Sequence, residues 1–216
     1  VLVLDVHWKI SNPEVFAGTL SYEELMTRAV PLPHPWPARA PSNVDALLIA
    51  CMHRVAHHAT VERLIWAYDV HLIAASLRAE DWRMFVEIAC ARGVAAVCRA
   101  GLAQAVTWFH SPVPADMLSD RRWPKEADAE PTAAYLHGRT QLQVLTDNLR
   151  GLPTWSARGR LVREHLFPPA DYIRRVYAPD SAAPLALLYA WRVLRGAPVW
   201  LGQSLARVGR RTRGRA

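Results

Sequence analysis

The chain has 216 residues, 51% of them hydrophobic, which supplies a sizeable core and excludes a disordered or purely solvating segment. Its formal charge is +7, but Lys9 and Lys125 are the only lysines; with the heavy Ala usage, the Arg excess reads as coding bias, so no specific nucleic-acid binding is inferred from charge. Cys51, Cys90 and Cys98 lie in apolar helical patterns without CxxC spacing, and their odd number does not support a disulfide framework; they predict buried thiols in a reducing, cytoplasmic setting.

Taken in order, VLVLDVHWK at residues 1–9 reads as a strand. Leu2, Leu4, Val6 and Trp8 make one face apolar, while the other turns polar at Asp5 and His7. A carboxylate on such a strand needs a partner, a metal or an open cleft. No signal peptide precedes it, and no apolar run reaches the roughly 20 residues that span a bilayer. Because the chain opens on Val inside this pattern, an upstream portion is expected.

Ser21 with Glu24 predicts a capping box and a short helix to Arg28. Five prolines between Val30 and Pro41 predict an extended connector and a domain boundary, so residues 1–40 are read as one region. Residues 41–110 then form a helical bundle. Ser42 caps its first helix, with Asp45 three residues on, and Leu47, Leu48, Cys51, Val55 and Ala56 mark the buried stripe. His53 and His57 share a face four residues apart. After a break near Thr60, Leu64, Ile65, Tyr68, Leu72 and Ile73 mark a second stripe, with Asp69 and His71 as its polar groups. Folded back as a hairpin, this helix brings Asp69 level with His53, within hydrogen-bonding reach.

Asp81 is read as the cap of the next helix and Gly93 as its C′ stop, followed by a helix from Val94 to Phe109. Residues 111–131 read as a surface loop, in which Asp128 and Glu130 are loop charge rather than a metal pair. Residues 132–216 form a C-terminal helical region. It holds a helix from Thr132 to Arg150, a less regular one from Ser156 to Phe167, and a proline-initiated one carrying Tyr172, Ile173 and Val176 on one side. Ser181 opens the last helix, with Leu185, Leu188 and Trp191 in phase, and an arginine-rich tail frays beyond it.

His53, His57, Asp69 and His71 invite a metal-hydrolase reading, but the pattern lacks the Glu of HExxH and a His-Asp doublet. A buried, hydrogen-bonded His and Asp is the simpler expectation. The segment from Leu185 to Arg215, with Trp191 and Trp200 among leucines and arginines, has the composition of a membrane-surface helix, although bundle packing explains its apolar content equally.

The order of LDVHW at Leu4 to Trp8, PSNVDALLIACMHRVAHH, RLIWAYDVHLI, DWRMFVEIA, FPPADYIRRVY and LYAWRVLR resembles the uncharacterised nucleotidyltransferase family of bacterial proteins, from Val1 to Arg195. The resemblance implies a mainly α protein, a bundle of about six to eight helices after a remnant strand of an α+β nucleotidyltransferase core. It implies Mg²⁺-dependent transfer of a nucleotidyl group from an NTP to an unknown acceptor. Asp5 then matches the third acidic position of the core, as catalytic and metal-binding residue, with His7 as a supporting neighbour. The hairpin carrying His53, His57 and Asp69 falls in the helical domain, where it contacts a base or acceptor. The family's glycine turn and Asp-x-Asp pair have no counterpart in residues 1–216, so the chain alone is expected to be inactive and to bind Mg²⁺ weakly. The alternatives are a non-catalytic helical binding or scaffold module and a membrane-peripheral protein.

Overall fold

Ser21 and Glu24 exchange the two hydrogen bonds of a capping box, at 3.1 Å from the Glu24 amide to Ser21 Oγ and 2.7 Å from the Ser21 amide to the Glu24 carboxylate. The computed structural model describes residues 9–11, 13–33, 38–56, 63–119, 121–125, 127–178 and 183–195, in two units, residues 1–139 and 140–216. The protein is mainly helical, as the sequence predicts. In the first unit, α1 (Glu14–Ala17) and the boxed α2 (Tyr22–Arg28) come first. The proline-rich connector follows, and it lies inside this unit: β1 (Val30–Pro31) pairs antiparallel with β2 (Arg39–Ala40), Val30 opposite Ala40. Arg39 ties the ladder down by donating to the Ala29 carbonyl.

Four longer helices form the body of the unit: α3 (Asn43–Ala56), α4 (Leu64–Ala74), α5 (Ala79–Ala91) and α6 (Ala95–Phe109). Helix α3 is central, packed against the other three. Leu47, Leu48, Cys51 and Val55 are buried on it, the stripe read from the sequence. The stripe assigned to α4 is not the buried one. Leu64, Ile65, Tyr68 and Leu72 are exposed, whereas Trp66, Ala67, Val70 and Ala74 face the core. This helix is apolar nearly all round, so periodicity could not choose a face; the small Ala67 and Ala74 mark the side where backbones approach. The same logic places Gly101 of α6 against α3, where an added Cβ would sit 3.0 Å from Cys51 Sγ. All three cysteines are free, Cys51 and Cys98 buried and Cys90 half-buried.

The start of α3 is held by a buried ion pair. Ser42 Oγ accepts from the Asp45 amide at 3.2 Å and donates to the Asp45 carboxylate at 2.8 Å. The expected box is therefore closed side chain to side chain rather than through the cap's own amide. Asp45 is fully buried, and Arg28 at the end of α2 binds it through Nε and a terminal nitrogen at 2.9 and 2.7 Å. Bonding to Asp45 raises the Arg28 guanidinium further above its ordinary value. A carboxylate so placed is tolerated because its lone pairs are filled and the helix N-terminus favours negative charge.

Helix α5 begins at Ala79, two residues before the Asp81 that sequence suggested as its cap. Asp81 is instead the third helical residue and accepts from the Arg78 amide at 2.9 Å; arginine has no acceptor to complete a box. Gly93, at φ +63°, ends α5 as predicted. Its amide reaches the Cys90 carbonyl and that of Val94 the Ala89 carbonyl, the two bonds of a Schellman motif. Residues 111–131 are less of a surface loop than expected. Trp123 is buried edge-on against Phe85 and donates to the Met117 carbonyl at 2.6 Å. Glu130 caps α6 by accepting from the Ala96 amide at 3.1 Å, and Asp128 pairs with Arg99 at 2.9 Å. Both acids thus have structural partners.

In the second unit, the helix expected from Thr132 is broken at the unit border by Gly138, at φ +70°. Residues before the break form a 3₁₀ turn, and α7 (Gln141–Gly151) starts afresh behind a Thr140–Gln143 capping box. Then come α8 (Trp155–Leu166), capped by Thr154, and α9 (Ala170–Tyr177), entered through Pro169. A last helix, α10, covers residues 185–195. Ile173, Ala178 and Leu188 pack together, but Tyr172 and Val176, read as sharing the buried side with Ile173, are exposed.

Removing either end of the Arg28–Asp45 pair tests its weight. Arg28→Ala leaves the buried carboxylate with Ser42 but without its cationic partner and should cost roughly 3 kcal/mol. Asp45→Asn keeps a hydrogen-bonding amide and should cost about half as much. Urea unfolding midpoints at unchanged slope give the order.

One carboxyl substitution at the α6 cap gives a pH signature. Burial pushes the Glu130 carboxyl above its ordinary value, so the folded state holds that proton more tightly than the unfolded state. Its contribution is therefore present below the ordinary carboxylate range and lost as pH rises through the raised value. Glu130→Gln should gain stability relative to the parent across that rise, read from unfolding curves at stepped pH.

Candidate functional site: an apolar cleft between the third and fourth helices

Helices α3 and α4 line a cleft between them, with the Ala67 and Ala74 face of α4 turned to the core. Ala46, Ile49, Ala50 and His53, at the i, i+3, i+4, i+7 spacing of one helical face, form one wall of the cleft. Trp66, Asp69, Leu72 and Ile73 form the other, and Pro41 closes an end. The space is about 380 Å³, in the range that small-molecule sites occupy. His53 and Asp69 are the polar side chains of a lining that is otherwise apolar apart from the Trp66 ring nitrogen.

His53 stands edge-on to Trp66, with ring centroids 6.1 Å apart and planes at 79°. The Arg63 guanidinium lies 5.4 Å from the centre of the same indole. The hairpin thus brings His53 and Asp69 to one cleft, at the level that sequence spacing suggested. Both are exposed there, so the buried His and Asp expected as the simpler reading give way to an open rim. His71 belongs to a different environment. Its ring stacks on Tyr68 at 5.7 Å and 23°, lies 5.7 Å from Phe109, and its Nδ1 meets the buried Ser111 hydroxyl at 3.0 Å. That arrangement holds the end of α6 to α4, and it separates His71 from the histidine with which the hydrolase reading grouped it.

Asp5, His7 and His57 lie outside the described residues. Among the described residues, no three His, Cys, Asp or Glu side chains converge in a set able to hold a metal ion. Sequence reasoning passed over Trp66 in the cleft wall and the Arg63 that lies over its indole. A Trp beside an alanine on the buried side of α4 was the available signal, and it was masked by the helix's uniform apolarity.

The first unit is a four-helix body with an apolar cleft between α3 and α4. Residues 1–110 match the uncharacterised nucleotidyltransferase family, a span that joins the LDVHW stretch to all of α3 to α6 and covers half of the chain, and the protein belongs to that family. No curated protein and no solved structure matches it.

The two described histidines of the hairpin should respond differently to truncation. His71→Ala removes a hydrogen bond to a buried hydroxyl and two ring contacts, and should lower stability by roughly 1–2 kcal/mol. His53→Ala, at the open rim, should cost under about 1 kcal/mol. Equal losses in thermal unfolding would contradict these placements.

Proposed function

We propose that the protein serves in nucleotidyl transfer from an NTP to an acceptor yet to be identified. The observation that supports the reading is the family match, which carries Asp5 and both walls of the cleft within a single matched span. In this reading Asp5 is a metal-binding carboxylate of the reaction, His7 is its hydrogen-bonding neighbour, and the α3–α4 cleft receives the base or the acceptor. Mg²⁺ would supply the charge that steadies the attacking and leaving oxygens of an in-line displacement. The described residues do not themselves make such a site, since none of them form a convergent acidic set.

What the cleft offers is orientation. Trp66 presents an aromatic surface braced by His53, the aliphatic wall excludes water from a planar ring, and Asp69 accepts a hydrogen bond from a ring or exocyclic N–H. A non-catalytic helical binding module would use the same cleft, and the apolar lining favours it to the same degree. The two readings part on Asp5.

Incubating α-labelled NTPs and Mg²⁺ with a protein in which residues 1–216 follow a core carrying a glycine turn and an Asp-x-Asp pair should show label transfer, and Asp5→Asn should abolish it while leaving the unfolding midpoint nearly unchanged. Full activity in that variant would remove Asp5 from the reaction. An unfolded variant would make Asp5 a structural ion-pair partner. The 216-residue chain alone should transfer no label and should show weak Mg²⁺ binding by titration calorimetry.

A further inference from the structure

The charge of the chain is divided unevenly between its two units. Residues 140–216 carry thirteen arginines against four acids, whereas residues 1–139 carry thirteen basic and fifteen acidic residues. The whole positive excess therefore belongs to the second unit. That unit also has the smaller core: among its described residues only Ile173, Ala178 and Leu188 are buried.

Its large apolar side chains are instead on the surface. Trp155 is 83% exposed, and on α10 Leu187, Trp191 and Leu194 are 63%, 54% and 68% exposed. These three fall at i, i+4 and i+7, one continuous stripe. A neighbouring face of α10 carries Leu188, which is buried, and Tyr189, whose hydroxyl donates to the Pro168 carbonyl at 2.5 Å. Helix α10 is thus packed through one face and leaves a second apolar face open. Arginines interleave with the exposed residues of the unit: Arg158 stacks over Trp155 at 4.9 Å, and Arg174, Arg175 and Arg195 are exposed.

We propose that the 140–216 unit seats on an anionic lipid surface, with Leu187, Trp191 and Leu194 in the boundary between headgroups and acyl chains and the arginines against lipid phosphates. The inference is independent of the nucleotidyl-transfer reading. Charge complementarity selects the occupant. Thirteen arginines against four acids leave the unit at +9, which repels a second copy of itself, and Leu187 and Leu194 on either side of Trp191 give successive nucleobases no faces on which to stack. An acyl layer takes leucine and valine, while Trp and Arg suit the headgroup level. No described helix is long and apolar enough to cross a membrane, so the contact lies on the surface.

The test is co-sedimentation of the 216-residue chain with vesicles of phosphatidylcholine alone and with equal parts of phosphatidylglycerol. Binding should appear with the anionic vesicles, weaken as salt is raised, and fall roughly tenfold or more in the double variant Leu187→Glu/Leu194→Glu. Both positions are exposed, so the far-UV circular dichroism of the variant should match the parent. Arg174→Gln/Arg175→Gln should weaken anionic binding several-fold without moving that spectrum. Equal binding to both vesicle types, binding to neither, or indifference to both double variants would overturn the proposal. So would a dimer, or binding to single-stranded RNA, that the leucine substitutions abolish while vesicle binding persists.

Discussion

The fully buried Asp45 carboxylate is the constraint around which the first unit is arranged. A charge without solvent survives only where its partners are supplied in full, and Arg28 and Ser42 supply them from opposite sides. Satisfying it fixes the end of α2 against the beginning of α3. Because α3 touches α4, α5 and α6, that single anchoring point orients the helix on which the other three are assembled. The proline connector between α2 and α3 consequently serves as an internal brace. Its short ladder holds the two helix ends close enough for the guanidinium to span them.

The cleft follows from the same arrangement. With α3 anchored at its first turn, the small-residue face of α4 can close on the core while the side bearing Leu72 and Ile73 stands away. The polar groups sit at the rim, so a ligand with an apolar body and one N–H edge meets both kinds of lining at once. The chain belongs to the uncharacterised nucleotidyltransferase family, and the matched span contains both walls of this cleft.

Local grammar was legible in the sequence wherever a short-range rule decides structure. Ser21 with Glu24, Ser42 with Asp45 and the positive φ of Gly93 all act within a few residues, and all are found as read. The α3 stripe was legible too, because polar residues flank it. Helix α4 was not, since a helix apolar on every side gives the hydrophobic period nothing to select. Trp123 and Glu130 were missed for another reason: each acts on a helix far off in the chain, and no local pattern marks a loop residue that will fill a core or cap a distant α6. At the site, spacing alone placed His53 and Asp69 at one level. It could not tell an open rim from a buried pair, because that depends on how far two helices splay, which side-chain volumes elsewhere determine.

The contact between Gly101 and Cys51 sets a rule about inheritance. A methyl group at position 101 would press on the Cys51 sulfur at 3.0 Å, with the rest of that side chain behind it. The two positions therefore share one fixed volume across the α3–α6 seam. A lineage that enlarges one must draw the other back by a few tenths of an ångström or shrink it, so substitutions at this seam are coupled by packing before any demand of function is felt.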